Sequence, residues 1–349
     1  MASYVKTDDR RGLKKAIIAA IGVAVIFSCE ASRGKEVYAQ GPTAAVLSIR
    51  LPMADGVKLA TNVYLPSGTP PWPVVLVRYV YLSDSFDSMA SSLNELGIAL
   101  VVQYVRGRDG SEGTFDGFFS AAQDGKHTLQ WLTSGTTLTP RPSWSNGKVM
   151  MIGDSAAAIH AYLAATNAPT GLQCQELLSG SADLYRTIYT NGAYRSELID
   201  SWANGIGEPQ ILQIWRSHTL NGEFWSPVRT DFSKVNALGI HSTGGYDIFL
   251  QDTIRAFRGY QTHGAVGARG RQHVIIGPWT HEFNPTRTGE VTFPNSVCGT
   301  LDAGSISCEN LGANKPEMMV PGAPKKEVNA CHNYEKSLQG CNFLKVRLL

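Results

Sequence analysis

Three residues suited to acyl transfer stand far apart in the chain: Ser155 in "KVMMIGDSAAAIHAYLAA", Asp247 in "GGYDIF" and His281 in "GPWTH". A serine hydroxyl is a weak nucleophile near neutral pH. An imidazole must take its proton during attack, and a carboxylate must hold that imidazole in the right tautomer. The oxyanion that develops then needs donors already aimed at it. The backbone N–H of Ala156, directly after the serine, is one candidate. The phenol of Tyr81 is the other.

Each of these residues also has a purely structural reading. Ser155 could cap the alanine-rich helix that follows it, since serine is a favoured N-cap. Asp247 could cap a helix starting at Ile248, and Asp252 and Asp231 are rival carboxylates. His281 competes with His160, five positions beyond Ser155, and with His241 and His273, which fall in or before strands. Tyr79, two residues before Tyr81, could equally face the site. Asp154 reads as ordering the turn, and the tryptophans at 202, 215 and 225 as part core and part pocket wall. The glycine-rich "RGRDGSEG" lacks the Gly-Lys-Ser/Thr ending of a phosphate loop. It reads as a turn, with Arg106 in a buried ion pair.

The elements that would carry these groups follow from apolar patterning. "AVLSIRLPM", the turn "ADG" and "VKLATNVYLP" form an expected hairpin. After "SGTPPWP", apolar runs near Val74, Ala99, Val149, Ile240 and Ile275 alternate with helix-like stretches such as "DSMASSLNELG" and "SAAQDGKHTLQWLTS". That rhythm predicts an α/β fold with a mostly parallel sheet. Tyr81, Ser155, Asp247 and His281 then fall at the C-terminal ends of four of the five runs, the edge where open parallel sheets bind ligands. The chain order Ser, Asp, His is that of α/β-hydrolases, and gaps of 92 and 34 residues leave room for an inserted cap.

The remainder bounds the function class. Of 349 residues, 43% are hydrophobic and 17% charged, with a net charge of +2, which gives no electrostatic reason to expect nucleic acid. Lys6, Arg10, Arg11, Lys14 and Lys15 precede an uncharged run from Ala16 to Ser28, and "VYA" ends at Ala39. This reads as a signal peptide over 1–39 and as export to the periplasm or outside the cell. A lipid on Cys29 or an uncleaved anchor are the alternatives. Five further cysteines, Cys174, Cys298, Cys308, Cys331 and Cys341, leave at least one unpaired or bonded elsewhere, and none has zinc-site spacing. The expected organisation is a core at 44–182 and 232–294, a helical cap at 183–231 and an irregular tail at 295–349.

Beyond these readings, "ADGVKLATNVYLP", "VLVRYVY", "YVRGRDGSEGTF", "WSNGKVMMIGDS", "SADLYRTIYTNGAYR", "GGYDIF", "TIRAF" and "IIGPWTH" occur in one order. Together they resemble the CocE/NonD hydrolases, the cocaine esterase and X-Pro dipeptidyl-peptidase type of α/β-hydrolase, over roughly 48–294. The resemblance implies Ser155 as nucleophile, Asp247 as acid, His281 as base, Tyr81 as oxyanion tyrosine and no metal or organic cofactor. The implied substrate is a small-molecule carboxylic ester or acyl amide. X-Pro dipeptidyl-peptidase-like or α-amino-acid ester hydrolase activity is the alternative, and a truncated, inactive homologue a second. Two departures stand out. Where the family reads Gly, any residue, Ser, Tyr, any residue, Gly, this chain has Gly153, Asp154, Ser155, Ala156, Ala157, Ala158. Only 68 residues follow His281, without strand-like alternation, so the jelly-roll domain usual at this end is expected to be missing or truncated.

Overall fold

The computed structural model describes residues 46–82, 85–166, 168–281 and 287–292. The expected signal segment, five of the six cysteines and the tail lie outside these residues. Among the described residues, no helix is long and apolar enough to cross a membrane.

The N-terminal hairpin forms as its alternation predicts. Strand β1 (Val46–Pro52) pairs antiparallel with β2 (Lys58–Tyr64) across the Asp55-Gly56 turn. The β-branched, apolar runs become β3 (Trp72–Tyr79), β4 (Ala99–Tyr104) and β5 (Ser145–Asp154), the first two buried almost throughout and β5 from Val149 to Gly153. Strands β6 (Leu172–Leu178), β9 (Leu238–Gly244) and β10 (His273–Gly277) complete an eight-stranded sheet of order β1-β2-β4-β3-β5-β6-β9-β10. All pairings from β4 to β10 are parallel, while β1 and β2 pair antiparallel at one edge. Strand β6 carries no apolar run, because "LQCQELL" interleaves Gln and Glu with its hydrophobes. Sequence patterning passes over it for that reason. Its Gln175 and Glu176 are fully buried in the middle of the sheet.

Helices cover both faces, the arrangement that buries a parallel sheet. Helix α1 (Asp87–Glu95) packs Met89, Ala90 and Leu93 against one face. The other face takes α2 (Ala121–Thr133), α3 (Ala156–Ala164) and α7 (Leu250–His263) through Leu129, Tyr162 and Tyr260. Arg78 lies beneath α2 at 1% exposure, donating to Gln103 Oε1 and the Ala121 carbonyl. Arg106 grips Asp124 with two hydrogen bonds of 2.6 and 2.7 Å, so the "RGRDGSEG" loop is anchored by an ion pair. Asp124 thereby serves two arginines, the second being Arg78 at 3.7 Å.

Between β6 and β9 the chain leaves the sheet and builds α4 (Leu184–Ile188), a short hairpin of β7 (Tyr189–Thr190) and β8 (Ala193–Tyr194), α5 (Ser196–Gly205) and α6 (Ile211–Ser217). Two 3₁₀ turns, Glu223–Val228 and Phe232–Lys234, lead back to β9. Trp215 and Trp225 are wholly buried in a third apolar cluster that joins this segment to α3 and to the loop at 115–118. Across the same seam Arg108 bridges the Val80 carbonyl, at 2.8 Å, and Glu208 Oε1, at 2.7 Å.

Candidate active site

The end of β5 turns straight into α3, and Ser155 occupies the turn with φ 53° and ψ −119°. A non-glycine residue holds such a conformation only where its surroundings over-determine it. Here the Ser155 N–H donates to the Leu178 carbonyl at the end of β6, and its own carbonyl accepts from Ile159 N–H. The turn is tight because residue 153 is glycine: a Cβ there would come within 2.5 Å of the Ala157 carbonyl carbon and oxygen. The Ser155 side chain makes no capping hydrogen bond, so the helix-cap reading does not describe this serine. Its hydroxyl points to a different partner.

That partner is His281. The Ser155 Oγ to His281 Nε2 distance is 3.0 Å, and His281 Nδ1 lies 3.0 Å from Asp247 Oδ2. The other carboxylate oxygen of Asp247 accepts from Phe249 N–H at 2.6 Å. Asp247 is therefore held at both oxygens, with its side chain closed to solvent, while the imidazole is 30% exposed. Backbone bonds between the loops after β9 and β10 bring acid and imidazole together: Gly245 N–H donates to the Gly277 carbonyl and Tyr246 N–H to the Trp279 carbonyl. Gly244 allows that approach, since a Cβ there would sit 2.0 Å from the Trp279 oxygen. Phe249 packs its ring 5.4 Å from the imidazole.

The rivals are engaged elsewhere. Asp252 pairs with Arg255 on α7, and Asp231 accepts from Ser233 N–H. His241 is clasped between the Tyr162 hydroxyl and Gln272, and burial lowers its pKa to about 4. His160 is buried against the Phe118 ring at 4.7 Å and its pKa falls well below the ordinary range, because burial disfavours its charge. Tyr79 is 4% exposed and wedged edge-on between Phe86 and Tyr104, so it belongs to the core. Tyr81 is half-buried at the rim, its oxygen accepting a hydrogen bond from Trp202 Nε1 at 3.2 Å. Ala156 begins α3, in the first turn, where backbone N–H groups have no partner within the helix.

Two neighbours carry no clear signal in the sequence. Asp154 is half-buried, yet its Oδ1 is shut from solvent with no hydrogen-bond partner among the described residues. Burial pushes its pKa up to about 6, opposed by the nearby His281 and reinforced by Asp247. Trp202 reaches Tyr81 from α5, a contact across 121 residues that no local pattern announces. Among the described residues, no group of three or more His, Cys, Asp or Glu could hold a metal ion.

Residues 55–210 match the family model described as X-Pro dipeptidyl-peptidase (S15 family). The chain is 26% identical over 305 residues to the cocaine esterase of Rhodococcus sp. (strain MB1 Bresler), covering 70% of this chain and 50% of that one. It thus spans half the length of the curated relative it matches. Among solved structures, an aminopeptidase from a marine sediment Thaumarchaeota archaeon is similar with a TM-score of 0.56 at 17% identity, covering 76% of this chain and 54% of that one. A CocE/NonD family hydrolase from Staphylococcus aureus gives 0.53 at 19% identity, covering 68% and 45%. These structural likenesses carry the α/β-hydrolase fold.

Proposed function

We propose that this chain, an α/β-hydrolase of the CocE/NonD type, is a serine hydrolase that cleaves carboxylic esters or acyl amides through an acyl-enzyme. The observation that carries the proposal is the unbroken run of hydrogen bonds from Ser155 Oγ through His281 to the buried Asp247 carboxylate. In this reading His281 Nε2 takes the Ser155 proton as Oγ attacks the acyl carbon. Asp247 keeps the remaining imidazole proton on Nδ1 and balances the imidazolium that forms. The Ala156 N–H and the Tyr81 hydroxyl stabilise the oxyanion, after which His281 returns the proton to the leaving group. Water, activated by the same imidazole, then releases the acid.

An ester is favoured over a peptide with a free amino terminus. Of Glu197, Asp200 and Glu208, the carboxylates of the helical segment weighed for such an ammonium, Glu208 is held by Arg108, and Asp200 accepts from the Tyr194 hydroxyl and pairs with Arg216. Glu197, exposed in the first turn of α5, is the one of these three with no such anchor among the described residues. The helical segment between β6 and β9 acts as the cap over the site, and the N-terminal segment as the export signal.

A fluorophosphonate probe and a panel of chromogenic esters of varied acyl length, run beside an X-Pro amide, test the reading. Wild type should be labelled and should turn over an ester, with kcat falling by about three orders of magnitude or more in Ser155→Ala. Folded wild type that neither labels nor turns over would favour the inactive-homologue reading. Preference for the X-Pro amide would favour the peptidase reading.

A further inference from the structure

The indole of Trp202, half-buried, is held among aromatic rings. It stacks on Phe118, with centroids 5.7 Å apart and planes at 18°, and on Trp215 at 6.3 Å and 20°. Phe115 meets it edge-on at 6.1 Å. The loop that supplies both phenylalanines is itself strained to fit: Phe118 has φ 80° while 2% exposed. Gly117 beside it, at φ 68°, leaves no room for a Cβ, which would stand 2.9 Å from the Trp215 ring. Backbone strain of this kind persists only where the surroundings impose it. These contacts hold the indole with its N–H donating to the Tyr81 oxygen at 3.2 Å.

We propose that Trp202 is a positioning residue for oxyanion stabilisation, its N–H occupying a lone pair of the Tyr81 hydroxyl and so turning the phenolic proton away from α5 toward the rim of the sheet. The inference rests on the serine-hydrolase reading and on Tyr81 as an oxyanion donor. A phenol O–H donates in the direction its lone pairs leave open, and a hydroxyl that already accepts a hydrogen bond donates more strongly. Trp202 therefore does two things to Tyr81 without touching substrate: it sets the rotation of the hydroxyl and polarises it. Because Trp202 belongs to the inserted segment and Tyr81 to the end of β3, the assembly of the oxyanion site depends on the segment being seated. A tryptophan placed only as an apolar pocket wall would act through its ring and not through its N–H.

The test is a double-mutant cycle on the full chain with a chromogenic ester. Trp202→Phe keeps an aromatic ring in the stack and removes the N–H; Tyr81→Phe removes the hydroxyl. Trp202→Phe should lower kcat about fivefold, the worth of one hydrogen bond, with KM nearly unchanged. It should weaken a boronic acid inhibitor, which mimics the tetrahedral intermediate, by the same factor. In the Tyr81→Phe background the second substitution should cost nothing more. Trp215→Phe, which disturbs the stack but not this hydrogen bond, should be additive with Tyr81→Phe. Where phenylalanine is not tolerated, as judged by circular dichroism and melting, Trp202→Leu completes the cycle. Turnover in wild type with Trp202 and Tyr81 losses that simply multiply, or a rise in KM with constant kcat, would overturn this inference alone. No turnover by folded wild type would overturn it together with the reading on which it rests.

Discussion

Asp247 is held through both of its oxygens, one by Phe249 N–H and one by His281, which fixes the imidazole tautomer as well as its tilt. Asp247→Asn preserves the shape but can present an N–H to Nδ1, so the ring proton moves to Nε2, where it cannot accept from Ser155. The expected loss is about 10⁴-fold in kcat near neutral pH, with the melting temperature little changed. Steady-state kinetics beside a thermal melt check it, and a loss of only a few fold would remove Asp247 from the proposed triad. Asp154 bears on the same imidazole from the nucleophile's side. Its pKa is pushed up to about 6 by burial, so the carboxyl is neutral well below that pH and anionic above it. The anion favours the imidazolium. Asp154→Asn should therefore move the acid limb of the kcat/KM profile to lower pH and lower the plateau, whereas a residue that merely orders the turn would leave the limb in place. At this scale the catalytic candidates were legible because each follows a strand. The positive φ of Ser155 and the burial of Asp154 were not, since both depend on how β5, β6 and α3 meet.

The turn between β5 and α3 shows how a departure from the pattern of the hydrolases this sequence resembles is absorbed. Ala158 replaces the second glycine, and its Cβ lies where residue 180 can only be glycine: a Cβ on Gly180 would be 2.5 Å away. Without the Ala158 Cβ, the next neighbours are the residue 158 carbonyl carbon and the Ser155 oxygen at 3.4 Å, an ordinary contact. Gly180→Ala alone should destabilise by about 2 kcal/mol. Ala158→Gly alone should cost up to about 1 kcal/mol, the usual penalty of glycine within a helix. Joined, they should cost less than their sum by about 1 kcal/mol or more. Denaturant melts of the four proteins measure the coupling, and strict additivity would show that the two sites relax independently. Gly153→Ala has no such escape, because its Cβ meets the backbone of residues 157 and 158, and activity should fall with stability. Strands β1 to β5, β9 and β10 and helices α1 and α2 were legible from runs and periodicity. Strand β6 was not. Periodicity detects a buried strand by its hydrophobes, and this one places Gln175 and Glu176 at the centre of the sheet.

For the molecule as a whole, that hidden strand carries an energetic consequence. Gln175 is satisfied, donating to the Ala161 carbonyl and accepting from the Tyr260 hydroxyl, so it ties α3 and α7 to the sheet. Glu176 is 0% exposed, with neither carboxyl oxygen partnered among the described residues. Burial raises its pKa from 4.5 to about 8, so the folded chain holds this proton where the unfolded chain has released it. Below about pH 4.5 the carboxyl is neutral in both states and costs nothing in charge. As pH rises from there toward about 8, the unfolded state gains the ionised form and the fold loses stability by about 1.4 kcal/mol per pH unit. Above about 8 the loss is complete and the curve flattens. Glu176→Gln keeps size and polarity and removes the titration. Relative to wild type it should gain roughly 3 kcal/mol at neutral pH and less than about 0.5 kcal/mol near pH 4.5. Denaturant melts of both proteins between pH 4.5 and 8.5 measure this directly. Parallel curves would mean that Glu176 is solvated or paired in solution, and that the centre of the sheet does not bury an uncompensated acid.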